Sequence, residues 1–217
     1  MVNPAMLPIT FSAVGNIISS HSPLPLSHTS PSFDNLVPAT AYAVFINHRG
    51  KDTKESLASL VYRNLHNRGF KVFMDKSCLR AGQYIPQAIT CAIRSASVHV
   101  VILSPNYGQS EWCLDELFFI VQTGGPIIPV FWQIRPCEVR MEDKNGVYAK
   151  AFREHKRAGK FNSRTLEKWK AALRRISLPE GFILDGEQGE MVKKITASVA
   201  AFIEMAKYQE KAFGGAT

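Results

Sequence analysis

Five short apolar runs, separated by stretches with helical spacing, constrain this chain more than any other feature. The runs are Tyr42–Ile46, Phe70–Met74, Val98–Leu103, Pro126–Trp132 and Phe182–Leu184. Each is too short for a buried helix and is bounded by polar or turn-forming residues, so each reads as a buried strand. Between them, apolar residues recur three and four positions apart. Leu57, Leu60, Val61 and Leu65 make the first such stripe, stopped by Gly69, and Ile85, Ile89, Ala92, Ile93 and Ala96 make the second. A third helix runs from Glu111 to Gln122 behind a Ser110 cap. A fourth centres on Leu166, Trp169, Ala172 and Leu173, and Val192, Ile195, Val199, Phe202, Ile203 and Ala206 mark a terminal helix. Strand and helix alternate five times, which predicts a parallel sheet covered by helices on both faces. For five strands the leading topology is the flavodoxin-like order 2-1-3-4-5.

The rest of the 217 residues sets the boundaries. Residues 1–40 are rich in Ser and Pro and hold one charged side chain, Asp34, which predicts a disordered tail. The folded domain is expected over 41–208, with a flexible tail at 209–217. The longest apolar stretches fall far short of the roughly 20 residues a membrane-spanning helix needs. Cys78, Cys91, Cys113 and Cys137 form no C-x-x-C pair, so no zinc site or disulfide framework is expected and they read as reduced core thiols. No metal or bound cofactor is implied.

In this topology ligands bind beyond the carboxyl ends of strands one and three, where the chain order reverses. That rule selects Asn47–Thr53 and Ser104–Glu116. The first segment lacks the acidic pair of a phosphoacceptor receiver. The glycine-rich dinucleotide turn and the G-x-x-x-x-G-K-[ST] loop are absent from the sequence. What the two segments do contain is Arg49, Trp112 and Glu116. Trp112 and Glu116 are four apart on one helix and share a face. With Leu114, Leu117, Phe118 and Val121 assigned to the core, both are expected to point toward the cleft. Packing for the Trp and a solvated charge for the Glu are the plain alternatives.

The motifs around these positions resemble plant TIR (Toll/interleukin-1 receptor) domains. Ala41-Tyr42-Ala43-Val44-Phe45-Ile46-Asn47-His48-Arg49-Gly50-Lys51-Asp52-Thr53 is similar to the family's opening box. Phe73-Met74-Asp75 with Leu79-Arg80-Ala81-Gly82 resembles the second strand and its loop. Ser104-Pro105-Asn106-Tyr107 and Ser110-Glu111-Trp112-Cys113-Leu114-Asp115-Glu116-Leu117 match the active-site helix closely. Ile128-Pro129-Val130-Phe131-Trp132, followed by Arg135-Pro136-Cys137-Glu138-Val139-Arg140, resembles the fourth strand and its loop. With no nucleotide-binding or leucine-rich segment in the sequence, the resemblance is to the TIR-only members.

The resemblance implies hydrolysis of NAD or NADP, releasing nicotinamide and forming ADP-ribose or cyclic variants that serve as plant immune and cell-death signals. NAD is then substrate, not cofactor. Glu116 falls at the catalytic glutamate. Arg49, His48, Gly50, Trp112 and Ser110 fall where the pocket is lined or shaped. Arg80 falls in a loop that helps complete the site between protomers. The resemblance also implies self-association through TIR–TIR contacts, pairing with other TIR proteins, and a cytoplasmic or nuclear setting. Departures from the common pattern are Ala43, Asn47, His48 and Lys51 in the opening box, and Leu60 where a His usually takes part in TIR packing.

Two other readings compete with the enzyme: a non-catalytic TIR–TIR scaffold, and nucleic-acid-directed synthesis of cyclic nucleotides. The second draws on residues 144–175, where eleven Lys or Arg face only Glu154 and Glu167, with Phe152, Phe161 and Trp169 interleaved. A solvated basic surface with its aromatics turned inward explains the same pattern.

Overall fold

The computed structural model describes residues 42–74, 87–178, 181–183 and 188–213. Five parallel strands form one sheet in the order β2-β1-β3-β4-β5: β1 (Val44–His48), β2 (Val72–Met74), β3 (Val98–Leu103), β4 (Ile127–Phe131) and β5 (Phe182–Ile183). This is the flavodoxin-like α/β architecture expected from the apolar runs. β3 lies at the centre, with Val44–His48 of β1 in register with Val98–Ile102 on one side and β4 on the other. All six of its residues are buried, which is why its run reads as continuous rather than alternating.

The helices divide by the two-residue period of the strands. Phe45, Val101 and Leu103 face a core built with α3 (Gln87–Ser95), α4 (Glu111–Thr123), α6 (Val147–Ala158) and α7 (Ser163–Ser177). Val44, Ile46, Val100 and Ile102 face the other core, built with α2 (Ser59–Asn67) and α8 (Gln188–Phe213). Fully burying one such aliphatic side chain stabilises the fold by about 1.5–3 kcal/mol. His99 on β3 is the polar exception. Its Nε2 donates to the Ile93 carbonyl at 2.9 Å, and burial pushes its pKa below the usual histidine value, so the ring is neutral.

Three local features differ from expectation. β1 runs two residues past Ile46, ending at His48, because Asn47 and His48 pair with Val101 and Ile102 despite their polarity. The first helical stripe is not one helix: α1 (Gly50–Thr53) passes through a π-helical turn at Lys54–Ala58, where Ser56 leaves helical geometry (φ −126°, ψ −116°), before α2 begins. The basic stretch 133–178, where the sequence shows one clear helical stripe, holds a short α5 (Pro136–Val139) and the whole of α6 as well as α7. Its aromatics turn inward, with Trp169 1% and Phe152 5% exposed, and the Phe161 ring lies 4.8 Å from Trp169. Among the described residues no helix is long and apolar enough to cross a membrane. The expected tail over 1–40 lies outside the described residues, whereas α8 continues to Phe213, past the expected boundary at 208.

Candidate active site

The carboxyl ends of β1 and β3 bring the two selected segments together. β3 is followed by Ser104 and a tight 3₁₀ turn at Tyr107–Gln109. Ser110 then starts α4, its Oγ accepting from the Cys113 backbone N–H at 3.3 Å; Gly124 closes the helix in the left-handed conformation. The Ser110 cap read from the sequence holds.

Glu116 is on this helix but not on an open face. It is 4% exposed and lies on the buried stripe with Cys113, Leu117 and Ile120. The expectation that Trp112 and Glu116 face an open cleft is therefore corrected for Glu116. The error lay in assigning a single apolar stripe: Cys113, Glu116 and Ile120, three and four residues apart, form a second inward row. Phe118, assigned to the core, is only partly buried.

Alternation along β1 explains what Glu116 meets. Asn47 points to the same side as Phe45, toward α4, and its Nδ2 donates to Glu116 Oε2 at 2.7 Å. Asn47 Oδ1 accepts from the Tyr107 hydroxyl at 2.5 Å, and that hydroxyl is also 2.9 Å from the Cys113 carbonyl. Asn47 and Tyr107 are both 0% exposed. Burial, with the charges of neighbouring groups including Glu116, pushes the Tyr107 pKa well above its ordinary value, so its hydroxyl keeps its proton. The Cys113 thiol, 3.6 Å from the His48 carbonyl, is pushed up to about 12, first by burial and next by Glu116.

Of the other predicted residues, all but Arg80 lie among the described residues. His48 is buried, with Nδ1 3.0 Å from Thr53 Oγ1. Gly50 opens α1. Arg49 Nη1 donates to Asp52 Oδ1 at 2.5 Å, and the other oxygen of Asp52 accepts from Ser104 Oγ at 2.5 Å. Arg49 is thus held by a carboxylate in this conformation and is not open to a phosphate, a pairing that the i,i+3 spacing of Arg49 and Asp52 could have revealed. Trp112 is half-buried against the α4-side core, and its Nε1 is buried with no acceptor among the described residues. Arg80 lies outside the described residues. Sequence reasoning did not single out Asn47 or Tyr107, although both fall in the segments that the switch-point rule selects.

Among the described residues no group of three or more His, Cys, Asp or Glu is placed to hold a metal ion. A surface hollow of about 230 Å³ lies elsewhere, between α6 and α7, lined by Met141, Phe152, Arg153, Lys156 and Arg174 among others. Neither Glu116 nor any other residue proposed for the site lines it.

Known proteins share this sequence and fold. A Brachypodium distachyon protein described as a probable 2' cyclic ADP-D-ribose synthase is 37% identical over 163 residues, covering 74% of this chain and 67% of its own. TMV resistance protein N of Nicotiana glutinosa is 34% identical over 61% of this chain, which spans only 12% of that protein's length. Disease resistance protein RUN1 of Vitis rotundifolia is 31% identical over 75% of this chain, again 12% of its own length. Among solved structures, the TIR domains of the activated Roq1 resistosome superpose with a TM-score of 0.66 at 28% identity, covering 72% of this chain and 98% of theirs. The TIR domain family matches residues 41–215. On the fold, the paired motifs at the sheet's switch point and this match together, the chain belongs to the TIR domain family.

Proposed function

We propose that this chain cleaves the bond between nicotinamide and ribose in NAD or NADP, with Glu116 as the catalytic group. The observation that carries the reading is a carboxylate at the switch point, held at 2.7 Å by a buried amide donor. The similarity to a probable 2' cyclic ADP-D-ribose synthase supports it.

The chemistry needs few groups. Nicotinamide attached to ribose carries a positive charge, and when the C–N bond breaks the electron pair stays on its nitrogen, so it departs neutral. No acid has to protonate the leaving group, which is why one carboxylate serves where ordinary glycosidases use two. Glu116 steadies the positive charge that develops on the ribose. Water then captures the ribosyl cation and loses a proton, giving ADP-ribose. Capture by a hydroxyl of the same molecule gives a cyclic product. Trp112 supplies a ring face and an indole N–H for the substrate, and Arg49 a guanidinium for its phosphates once its contact with Asp52 is exchanged.

Because Glu116 is 4% exposed, substrate reaches it only after this conformation opens. Self-association supplies such a step, and the relatives include a TIR assembly in an activated resistosome. The products would then act as plant immune and cell-death signals. The same burial favours a second reading, a TIR–TIR scaffold without chemistry. Purified protein assayed for nicotinamide release over a rising concentration series, beside Glu116→Ala, separates them. Release that rises faster than protein concentration and is lost in Glu116→Ala supports the enzyme; a flat null in both supports the scaffold.

A further inference from the structure

We propose that the hollow between α6 and α7 is a docking site for an acidic peptide segment of a partner protein. One large apolar side chain of the peptide sits in the hollow, and its carboxylates meet the basic rim. The site lies apart from Glu116 and does not depend on the chemistry proposed there.

The hollow measures about 230 Å³. Its floor is apolar, made by Phe152 of α6, by Ala149 three residues before it on the same face, and by Met141 just after α5. Its rim carries four cations, Arg153 and Lys156 from α6 and Lys170 and Arg174 from α7. The members of each pair are three or four residues apart, so they share one face of their helix. Their long stems wall the hollow with CH₂ groups while the charged ends stay in water. Among the described residues only Lys170 of the four meets a carboxylate, the exposed Glu167 at 2.8 Å. Arg153 donates to the Lys144 carbonyl, which leaves its charge uncompensated.

Met141 is a second, independent observation. With φ 60° it occupies the left-handed position that closes α5. Its N–H donates to the Glu138 carbonyl at 3.1 Å, and the Glu142 N–H donates to the Cys137 carbonyl at 3.1 Å. Glycine adopts this conformation freely and is the usual residue there. Methionine adopts it at a conformational cost, and brings a pliable thioether chain that packs partly on the core and lines the hollow.

Size and charge select the occupant. Pockets that enclose small ligands run to roughly 300–1,000 Å³; this smaller, open hollow grips one side chain instead. Four rim cations against one carboxylate call for an anionic partner. The apolar floor calls for a hydrophobic anchor, which a phosphate chain lacks and an acidic peptide with one leucine supplies. Nucleic acid would need free ring faces on which bases stack. Here Phe152 is 5% and Trp169 1% exposed, and Phe161 packs edge-on against Trp169.

The test is fluorescence anisotropy of labelled probes with the full chain at about 0.15 M ionic strength. The probes are a short peptide with one leucine flanked by aspartates and glutamates, the same peptide with alanine for leucine, and single-stranded oligothymidylate of equal charge. The leucine peptide is expected to bind at least about fivefold tighter than the alanine peptide, as burial of much of a leucine side chain implies. Lys156→Glu with Arg174→Glu should weaken it at least about tenfold, whereas Lys193→Glu with Lys194→Glu on α8, an equal change in net charge, should alter it less than about twofold. Ala149→Trp fills the hollow and keeps every rim charge, so it should bring the leucine peptide down to the affinity of the alanine peptide. Circular dichroism and urea midpoints check that the variants fold. Equal binding of the two peptides, tighter binding of oligothymidylate than of the leucine peptide, or no binding of either peptide up to about 1 mM overturns the proposal. Should Ala149→Trp fail to fold, the difference between the peptides and the paired charge reversals decide it.

Discussion

Replacing Gly108 with alanine tests whether the turn that carries Tyr107 is as tightly enclosed as it looks. A Cβ at this position would lie 2.9 Å from Cδ1, 3.2 Å from Cε1 and 3.3 Å from Cγ of Tyr148. Unstrained carbon pairs sit at about 3.5–4.0 Å. The ring has nowhere to retreat: Tyr148 is 0% exposed, and its hydroxyl donates to the Ser104 carbonyl at 3.0 Å. From the other side His155 Nε2 donates to the Gly108 carbonyl at 2.9 Å, which pins the backbone. Overpacking of this kind costs about 1–3 kcal/mol. Against it stands about 0.4–1 kcal/mol gained because alanine restricts the unfolded chain. At the midpoints of the two ranges the clash wins, and Gly108→Ala should be less stable by about 1.3 kcal/mol. Urea denaturation followed by tryptophan fluorescence measures it. Tyr148→Phe removes the hydroxyl that anchors the ring, so in the double variant the ring can slide. The two losses should then sum to at least ~0.5 kcal/mol more than the double variant shows. A Gly108→Ala protein as stable as wild type, or strictly additive losses, would refute the steric argument.

Two more predictions concern titrating groups beside the site. With its pKa pushed to about 12 and 5% exposure, Cys113 should resist thiol reagents at about pH 8 until the protein unfolds, since only thiolate reacts; half-buried Cys91 and Cys137 label first, and fast native labelling of Cys113 contradicts this. Burial raises the Asp115 pKa above 3.8, opposed by the N–H of Trp169. The folded state therefore holds its proton to higher pH than the unfolded chain does, and stability falls as pH rises from 3.8 through the raised value. Asp115→Asn keeps an acceptor for Trp169 Nε1, now 2.8 Å from Oδ1, and should flatten that decline; urea midpoints across roughly pH 4–7 check it, and an unchanged slope contradicts it.

The parts of the fold legible in the sequence were those whose periodicity has a single cause. β3 keeps the bounds read for it, and α4 its Ser110 cap, because a fully buried run and a capped helix leave no competing pattern. β1 was drawn two residues short since Asn47 and His48 look like loop; strand pairing with β3 and side-chain hydrogen bonds absorb their polarity. The break at Ser56 has no sequence signature, as the stripe of Leu57, Val61 and Leu65 begins only beyond it. Tyr148, Ala151, Phe152 and His155 do carry the stripe of α6, but dense Lys and Arg hid it. At the site, motif and topology located Glu116, whereas its burial depended on a second inward row on α4. The contact of Asn47 with Glu116 joins residues 69 positions apart, and no local pattern encodes it.

The central claim is that the Glu116 carboxylate does the chemistry. Its most direct test is Glu116→Gln, which keeps the size and a hydrogen-bonding oxygen for Asn47 but removes the negative charge. Purified wild type and variant, brought to the same self-associated state, are incubated with NAD while nicotinamide and ribosyl products are separated and identified. The account predicts nicotinamide release with ADP-ribose or its cyclic forms from wild type, and a loss of at least about a hundredfold in Glu116→Gln, comparable to removing a key electrostatic stabiliser. Equal turnover by the two folded proteins would contradict it.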